Sequence, residues 1–280
     1  NKILVMLLAM VALSSAANAC TPKVDGTEMA NAWAEKRPIS GLDVELAMTD
    51  AECIRANFQQ ALRKQAGQVV GYKVGLTNPN VQKTLGHNAP ISGELMASMM
   101  LPSPAVVSIR FGTRPLMEAN LLVEVADDGV NAATTPAEVM LYLAGIKPFI
   151  ELPDLLIDPK VPINGVRLTA VNVGARLGVV GPTLPASPDL TRSLASTTVV
   201  LSDGSGKTLA QGKGSDILEH PLNAVIWLVN DLAKQGKRLK KGDLVSLGSF
   251  NPPLKPEVGQ EITVSYPGVP GMQSATVRFE

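Results

Sequence analysis

The sequence predicts an α+β fold in one main domain, richer in strand than in helix, and three observations point to it. Of the 280 residues 45% are hydrophobic and 18% charged, a globular balance that supports one sizeable core. Short apolar runs punctuated by glycine and proline read as strands, while a sustained helical period appears in two stretches. No repeat, low-complexity tract or linker divides the chain. Lysine plus arginine balances aspartate plus glutamate, 25 against 25, and aromatics are 4%. There is no basic field to condense on phosphate and little to stack on bases, so nucleic acid is not an expected partner.

Residues 1–19 differ from the rest. Lys2, an apolar run to Leu13 and the exit Ala17-Asn18-Ala19 describe a secretory signal peptide, too short to span a membrane. Export to the periplasm is the expectation. A lipid anchor on Cys20 is the alternative, and the only case in which a membrane would be a partner. The second of the two cysteines, Cys53, reads as a core residue or a partner for Cys20. Residues 20–48 read as a tether with a short helix near Trp33, and residues 49–280 as the main domain.

Thr49 or Asp50 can cap the first long helix, in which Ile54, Phe58, Ala61 and Leu62 recur until Gly67. A glycine-punctuated strand follows, Val69-Val70-Gly71-Tyr72-Lys73-Val74-Gly75-Leu76. Asn78-Pro79 then opens a short helix. Val106, Val107 and Ile109 form a strand, and Glu118–Val125 forms another, ending in Asp127-Asp128-Gly129. Thr135 caps a helix with Pro136 in its first position. Phe149-Ile150-Glu151-Leu152 is a short strand, and residues 167–180 read as more glycine-interrupted strand. Residues 189–212 look like a hairpin around Asp203-Gly204-Ser205-Gly206. Residues 221–234 form a helix with Leu222, Val225, Ile226, Val229 and Leu232 on one stripe. Short strands close the chain.

No phosphate loop, dinucleotide fingerprint or nucleophile elbow is present. His87 and His220 are the only histidines, which rules out a histidine-rich metal site, and His220 beside Pro221 suggests packing or capping. Carboxylates on strands remain. Glu118 and Asn120 share one strand face, among apolar neighbours, and Glu151 lies in a similar apolar run. A buried acid needs a cation or hydrogen bonds. Two readings are open: oxygen ligands for magnesium or manganese, or carboxylates paired with arginines such as Arg110 or Arg167.

The segment from Val69 to Pro79, continuing to Val81-Gln82 and Leu85-Gly86, resembles a signature of the 2-hydroxypenta-2,4-dienoate (2-keto-4-pentenoate) hydratases of the fumarylacetoacetate hydrolase superfamily. Gly212-Lys213-Gly214-Ser215, His220-Pro221-Leu222-Asn223-Ala224, Trp227-Leu228, Gly242-Asp243-Leu244-Val245 and Gly248-Ser249 add to the likeness, which covers residues 50–280. The resemblance implies a mixed β-roll or β-sandwich with a small N-terminal helical part. It implies a magnesium or manganese ion held by Glu118, Asn120 and Glu151, and a small 2-oxo acid bound by Lys73, Leu85, Asn172 and Ser249, with Lys73 catalytic. It also implies a homo-oligomeric hydro-lyase of aromatic catabolism.

The chain departs from the family pattern at several positions. Asn120 stands for the second glutamate of an E-x-E pair, Ile91 for an aspartate, and Val171 and Gly174 for the acid and serine flanking Asn172. Leu247 stands where threonine is usual. These departures keep two other functions open: decarboxylation or carbon–carbon hydrolysis on the same scaffold, and an impaired relative that only binds the 2-oxo acid.

Overall fold

The computed structural model describes residue 20 and residues 23–280, so the expected signal segment lies outside the described residues. Thirteen strands follow in chain order: β1 (Val69–Gly75), β2 (Ile91–Met96), β3 (Met100–Pro102), β4 (Ala105–Val107), β5 (Glu118–Val125), β6 (Leu143–Leu152), β7 (Leu177–Val180), β8 (Leu184–Pro185), β9 (Thr198–Asp203), β10 (Thr208–Lys213), β11 (Leu244–Ser246), β12 (Glu261–Ser265) and β13 (Ala275–Phe279). The larger sheet runs β2-β1-β11-β5-β6-β7-β3 with β8 beside β6, and the smaller runs β10-β9-β12-β13-β4. Pairs β1–β11, β3–β7 and β4–β13 are parallel, so the sheets are mixed.

Alternation along β5 explains the layers. Ala119, Leu121, Val123 and Val125 join Val199, Leu201, Ile262 and Val264 of the smaller sheet in one core. Leu122 faces the other way and meets Phe149, Phe58 and Leu62 in a second core. A strand buried on both faces reads as a continuous apolar run, which is why Glu118–Val125 is legible in the sequence.

The second core is roofed by helices α1 (Gly26–Glu35) and α2 (Met48–Ala66). Helix α2 opens two residues earlier than a cap at Thr49 would place it, with Asp50 Oδ2 accepting from Ala47 N at 3.3 Å. Its Ile54, Phe58 and Leu62 are fully buried, each contributing about 1.5–3 kcal/mol. The segment expected as a tether carries α1, docked through Met29, Ala30 and Trp33. Cys53 is disulfide-bonded to Cys20, which ties the chain ahead of α1 to α2.

Further helices are α3 (Pro79–Thr84), α4 (Pro136–Leu141), α5 (Gly165–Ala170), α6 (Leu190–Ser196) and α7 (Asn223–Lys234). Three sequence expectations are corrected here. Residues 167–180 are not continuous strand: Asn164 Oδ1 accepts from Arg167 N and caps α5, leaving only β7 extended. The hairpin β9–β10 is preceded by α6. Strand β6 begins six residues before Phe149, its start masked in the sequence by Pro148. Proline is tolerated there because β6 changes neighbours at that point, pairing with β8 through Gly145 and Ile146 and with β7 from Phe149 onward.

Candidate functional site: a buried acid pair with one lysine

Three strands of the larger sheet bring Lys73, Glu118, Asn120 and Glu151 together. In the β5–β6 register Glu118 lies directly opposite Glu151, and Asn120 opposite Phe149. Facing residues of an antiparallel pair share one side of the sheet, so both acids point to the same side. Lys73 enters from β1, with β11 between it and β5. Lys73 and Glu151 are each 3% exposed and Asn120 is 0%. Glu118 keeps some contact with solvent.

The ammonium of Lys73 forms an ion pair with Glu151 Oε1 and donates to the Val173 carbonyl at 2.9 Å. Asn120 Nδ2 donates to the other oxygen of Glu151 at 2.8 Å. Asn120 Oδ1 accepts from Leu121 N at 2.7 Å and Gly248 N at 3.2 Å. Donors at one end and a carboxylate at the other allow only this amide orientation, since the flipped amide would face NH2 against N–H. Behind it, the Tyr266 hydroxyl donates to the Asn120 carbonyl and accepts from Phe149 N. The arginine pairing left open by the sequence does not form. Lysine holds Glu151, and Arg167 binds the carbonyls of Leu42, Val44 and Pro162.

Burial is the main reason the Glu118 carboxyl is pushed up to about 8, and the nearby charge of Glu151 adds to it. Lys73 and the neighbouring Ser249 side chain pull the other way without prevailing. Ser249 is set by its loop: its hydroxyl donates to Asn251 O at 2.6 Å, and Asn251 Oδ1 accepts from Ala119 N at 2.8 Å.

Two adjacent carboxylates served by one ammonium suit a hard divalent cation, which would relieve their repulsion. The fit involves two oxygen-bearing side chains, not three. Asn120 turns its nitrogen to Glu151, and its oxygen is committed to backbone. Among the described residues no group of three or more histidine, cysteine, aspartate or glutamate side chains gathers as a metal cluster.

Leu85 lies against a small apolar cluster of Ile91, Leu168 and Val173, whose Val173 carbonyl touches Lys73. Ile91, where the family pattern has an acid, is buried in this cluster and offers no proton. Asn172 is fully buried, with its amide bonded to Gln59 and to the backbone of Glu94. It begins a run of three left-handed residues, with φ 56° at Asn172, 55° at Val173 and 64° at Gly174. Each non-glycine costs about 1–2 kcal/mol there. His220 is a packing residue: Nδ1 accepts from Leu222 N, so Nε2 carries the hydrogen and donates to Thr191 O at 2.8 Å. Sequence reasoning misses Tyr266, Gly248 N and the Val173 carbonyl. The signals available for these are Gly248 itself and Gly174, the residue after Val173.

No family model matches the sequence. A 2-keto-4-pentenoate hydratase from Burkholderia vietnamiensis (strain G4 / LMG 22486) is 32% identical over 197 residues, 68% of this chain and 72% of that protein. 2-Keto-4-pentenoate hydratase 2 from Dechloromonas aromatica (strain RCB) is 28% identical over 255 residues, 90% of this chain and 96% of that protein. The solved structure of 4-oxalocrotonate decarboxylase from Pseudomonas putida G7, complexed with magnesium and adipate, superimposes with a TM-score of 0.81 at 22% identity. It covers 94% of this chain and 100% of that one, a likeness of fold. With the fold, the matched length and the level of identity in agreement, the chain belongs to the 2-keto-4-pentenoate hydratase family.

Proposed function

We propose that this protein hydrates a 2-hydroxydienoate, the enol of a 2-oxo acid, at a divalent-cation site built on Glu118 and Glu151. The observation that carries the reading is the facing acid pair with a single buried lysine. The names of the hydratase relatives support the reaction class, and the magnesium complexed with the structurally similar decarboxylase supports the use of a divalent ion. Magnesium or manganese, when bound, would supply Lewis-acid polarisation of the substrate carboxylate and 2-oxo oxygens.

The chain's own groups have distinct tasks. Glu118 and Glu151 provide hard oxygen donors, and Asn120 fixes the orientation of Glu151 through its NH2. Lys73 adds positive charge where the enolate develops, and such charge stabilisation is worth most in a site that excludes water. The apolar side chains of Leu85, Ile91 and Val173 suit the hydrocarbon end of the dienoate. Ser249 lies beside Glu118. The overall change is tautomerisation of the dienol followed by addition of water across the remaining carbon–carbon double bond.

The test is turnover of 2-hydroxypenta-2,4-dienoate with magnesium or manganese. Loss of dienoate absorbance without carbon dioxide release is the expected result. No loss with either ion, in protein that is folded, would sink the proposal. Decarboxylation is the second reading, favoured by the extent of the structural match to the decarboxylase. It requires carbon dioxide release from 4-oxalocrotonate. Against it, Lys73 is the only cation among the charges acting on Glu118, and it already serves Glu151, whereas that substrate carries a second carboxylate.

Export is part of the proposal. The Cys20–Cys53 disulfide supports it, because such bonds persist in oxidising compartments. It also occupies the sulfur that a lipid anchor would need. Intact mass of protein recovered from periplasm and cytoplasm checks this: the mature form should lack residues 1–19 and lie two hydrogens below the reduced mass. A thioether-linked lipid on Cys20 would overturn it.

A further inference from the structure

Residues 172–174 wind left-handed in succession, and the reaction outlined above gives the backbone of that turn no task. Glycine enters this region freely, whereas a β-branched residue such as Val173 is among the least suited to it. Conformations of this kind persist where neighbours over-determine them, and they gather at functional sites. The over-determination is visible here. The Asn172 amide oxygen accepts from Gln59 Nε2 at 2.8 Å and Glu94 N at 2.7 Å, while its nitrogen donates to Glu94 O at 2.9 Å. Gly93 makes room for this approach, since a Cβ there would lie 2.6 Å from the Asn172 carbonyl oxygen. The turn delivers one group to the site, the Val173 carbonyl, which accepts from Lys73 Nζ at 2.9 Å.

We infer that Asn172 is a positioning residue for Lys73: its amide locks the left-handed turn whose Val173 carbonyl aims the ammonium. An ammonium has three hydrogens, and a long flexible stem lets it swing. Among the described residues its partners are Val173 O and Glu151, which fix two of the three directions and leave the last for an anionic oxygen of the substrate. Asn172 thereby acts from behind the site and does not contact the 2-oxo acid. The inference rests on Lys73 serving the proposed hydratase site.

Lysine acetylation followed by peptide mass spectrometry tests it on the full chain without turnover. In the unsubstituted protein Lys73 should react far more slowly than the exposed Lys83. Asn172→Ala should speed acetylation of Lys73 at least tenfold relative to Lys83, with no change at Lys147, which pairs with Glu124 at 3.1 Å. The same variant should lower kcat at least thirtyfold and move KM less than threefold. Gln59→Leu removes one of the three bonds of the lock and should give a smaller change in the same direction. It decides the matter should Asn172→Ala not fold. Unchanged acetylation of Lys73, or equal acceleration at Lys147, overturns the inference. Faster acetylation of Lys73 in a protein that hydrates no dienoate keeps the inference and removes the hydratase reading.

Discussion

Two acidic loci on this sheet have met opposite fates. Glu94, 2% exposed, is held by two cations, with Arg63 Nη2 at 2.7 Å and Lys237 Nζ at 2.9 Å from its Oε1. Those cations keep 44% and 33% of their side chains in solvent. At the other locus two acids, Glu118 and Glu151, share one lysine whose side chain is 4% exposed. The first arrangement is saturated and closes a seam between α2, β2 and the end of α7. The second is short of positive charge. Structural ion pairs tend to saturate, whereas an acid pair short of counter-charge suits a ligand that brings its own charge.

The largest effect should come from removing the scarcer cation. Lys73→Met leaves the buried Glu151 carboxylate without its counter-charge and should cost about 3–5 kcal/mol in urea unfolding at neutral pH. A loss below about 1 kcal/mol would erase the contrast between the two loci. Next, Glu151→Gln should lower dienoate turnover at least about 10²-fold, as expected where charge stabilisation at a water-poor site is lost. Titration calorimetry of the same variant should show weaker magnesium or manganese binding, and unaltered binding would take Glu151 out of the ion site.

A smaller effect follows from Glu118. Its carboxyl is ordinary, near 4.5, in the unfolded chain and pushed up to about 8 in the folded one by burial and by Glu151. The folded protein therefore holds the extra proton between those values. Its contribution to stability is complete below about 4.5 and is lost as pH rises through about 8. Metal-free protein should show a Tm that falls across this window, Glu118→Gln should flatten the slope, and magnesium should raise Tm most at the alkaline end. A Tm independent of pH from about 5 to about 8 would mean the acid pair is already compensated. The smallest effect belongs to the saturated locus. Lys237→Met should cost no more than about 1 kcal/mol, because the cation is partly solvated and Arg63 remains.

What is legible in the sequence follows from the range of each interaction. Strand parity places Glu118 and Asn120 on one face, and a two-residue repeat survives in any strand. The roles of their neighbours do not show. The direction of the Asn120 amide depends on Gly248 N, 128 residues away, and no local pattern encodes that. Asn172 matches a substrate contact by type and place, but its partners Gln59 and Glu94 come from α2 and β2. Glu94 gives no signal in the short stretch Ser92-Gly93-Glu94-Leu95, because its cations lie in segments remote in sequence. Val166, Leu168 and Val171 look like strand residues, and the Asn164 cap that makes their segment helical is a single side chain.

The Tyr266 hydroxyl touches backbone groups of Asn120 and Phe149, residues that face each other across β5 and β6. It thus pins the alignment of these two strands at one point, two residues from each acid. A slip by a single position would turn one carboxylate into the sandwich interior and leave its former neighbour unmatched. Tyr266→Phe keeps the ring and removes this pin, so the strand pairing that creates the acid pair hangs in part on a phenol that follows the last residue of β12 in the smaller sheet.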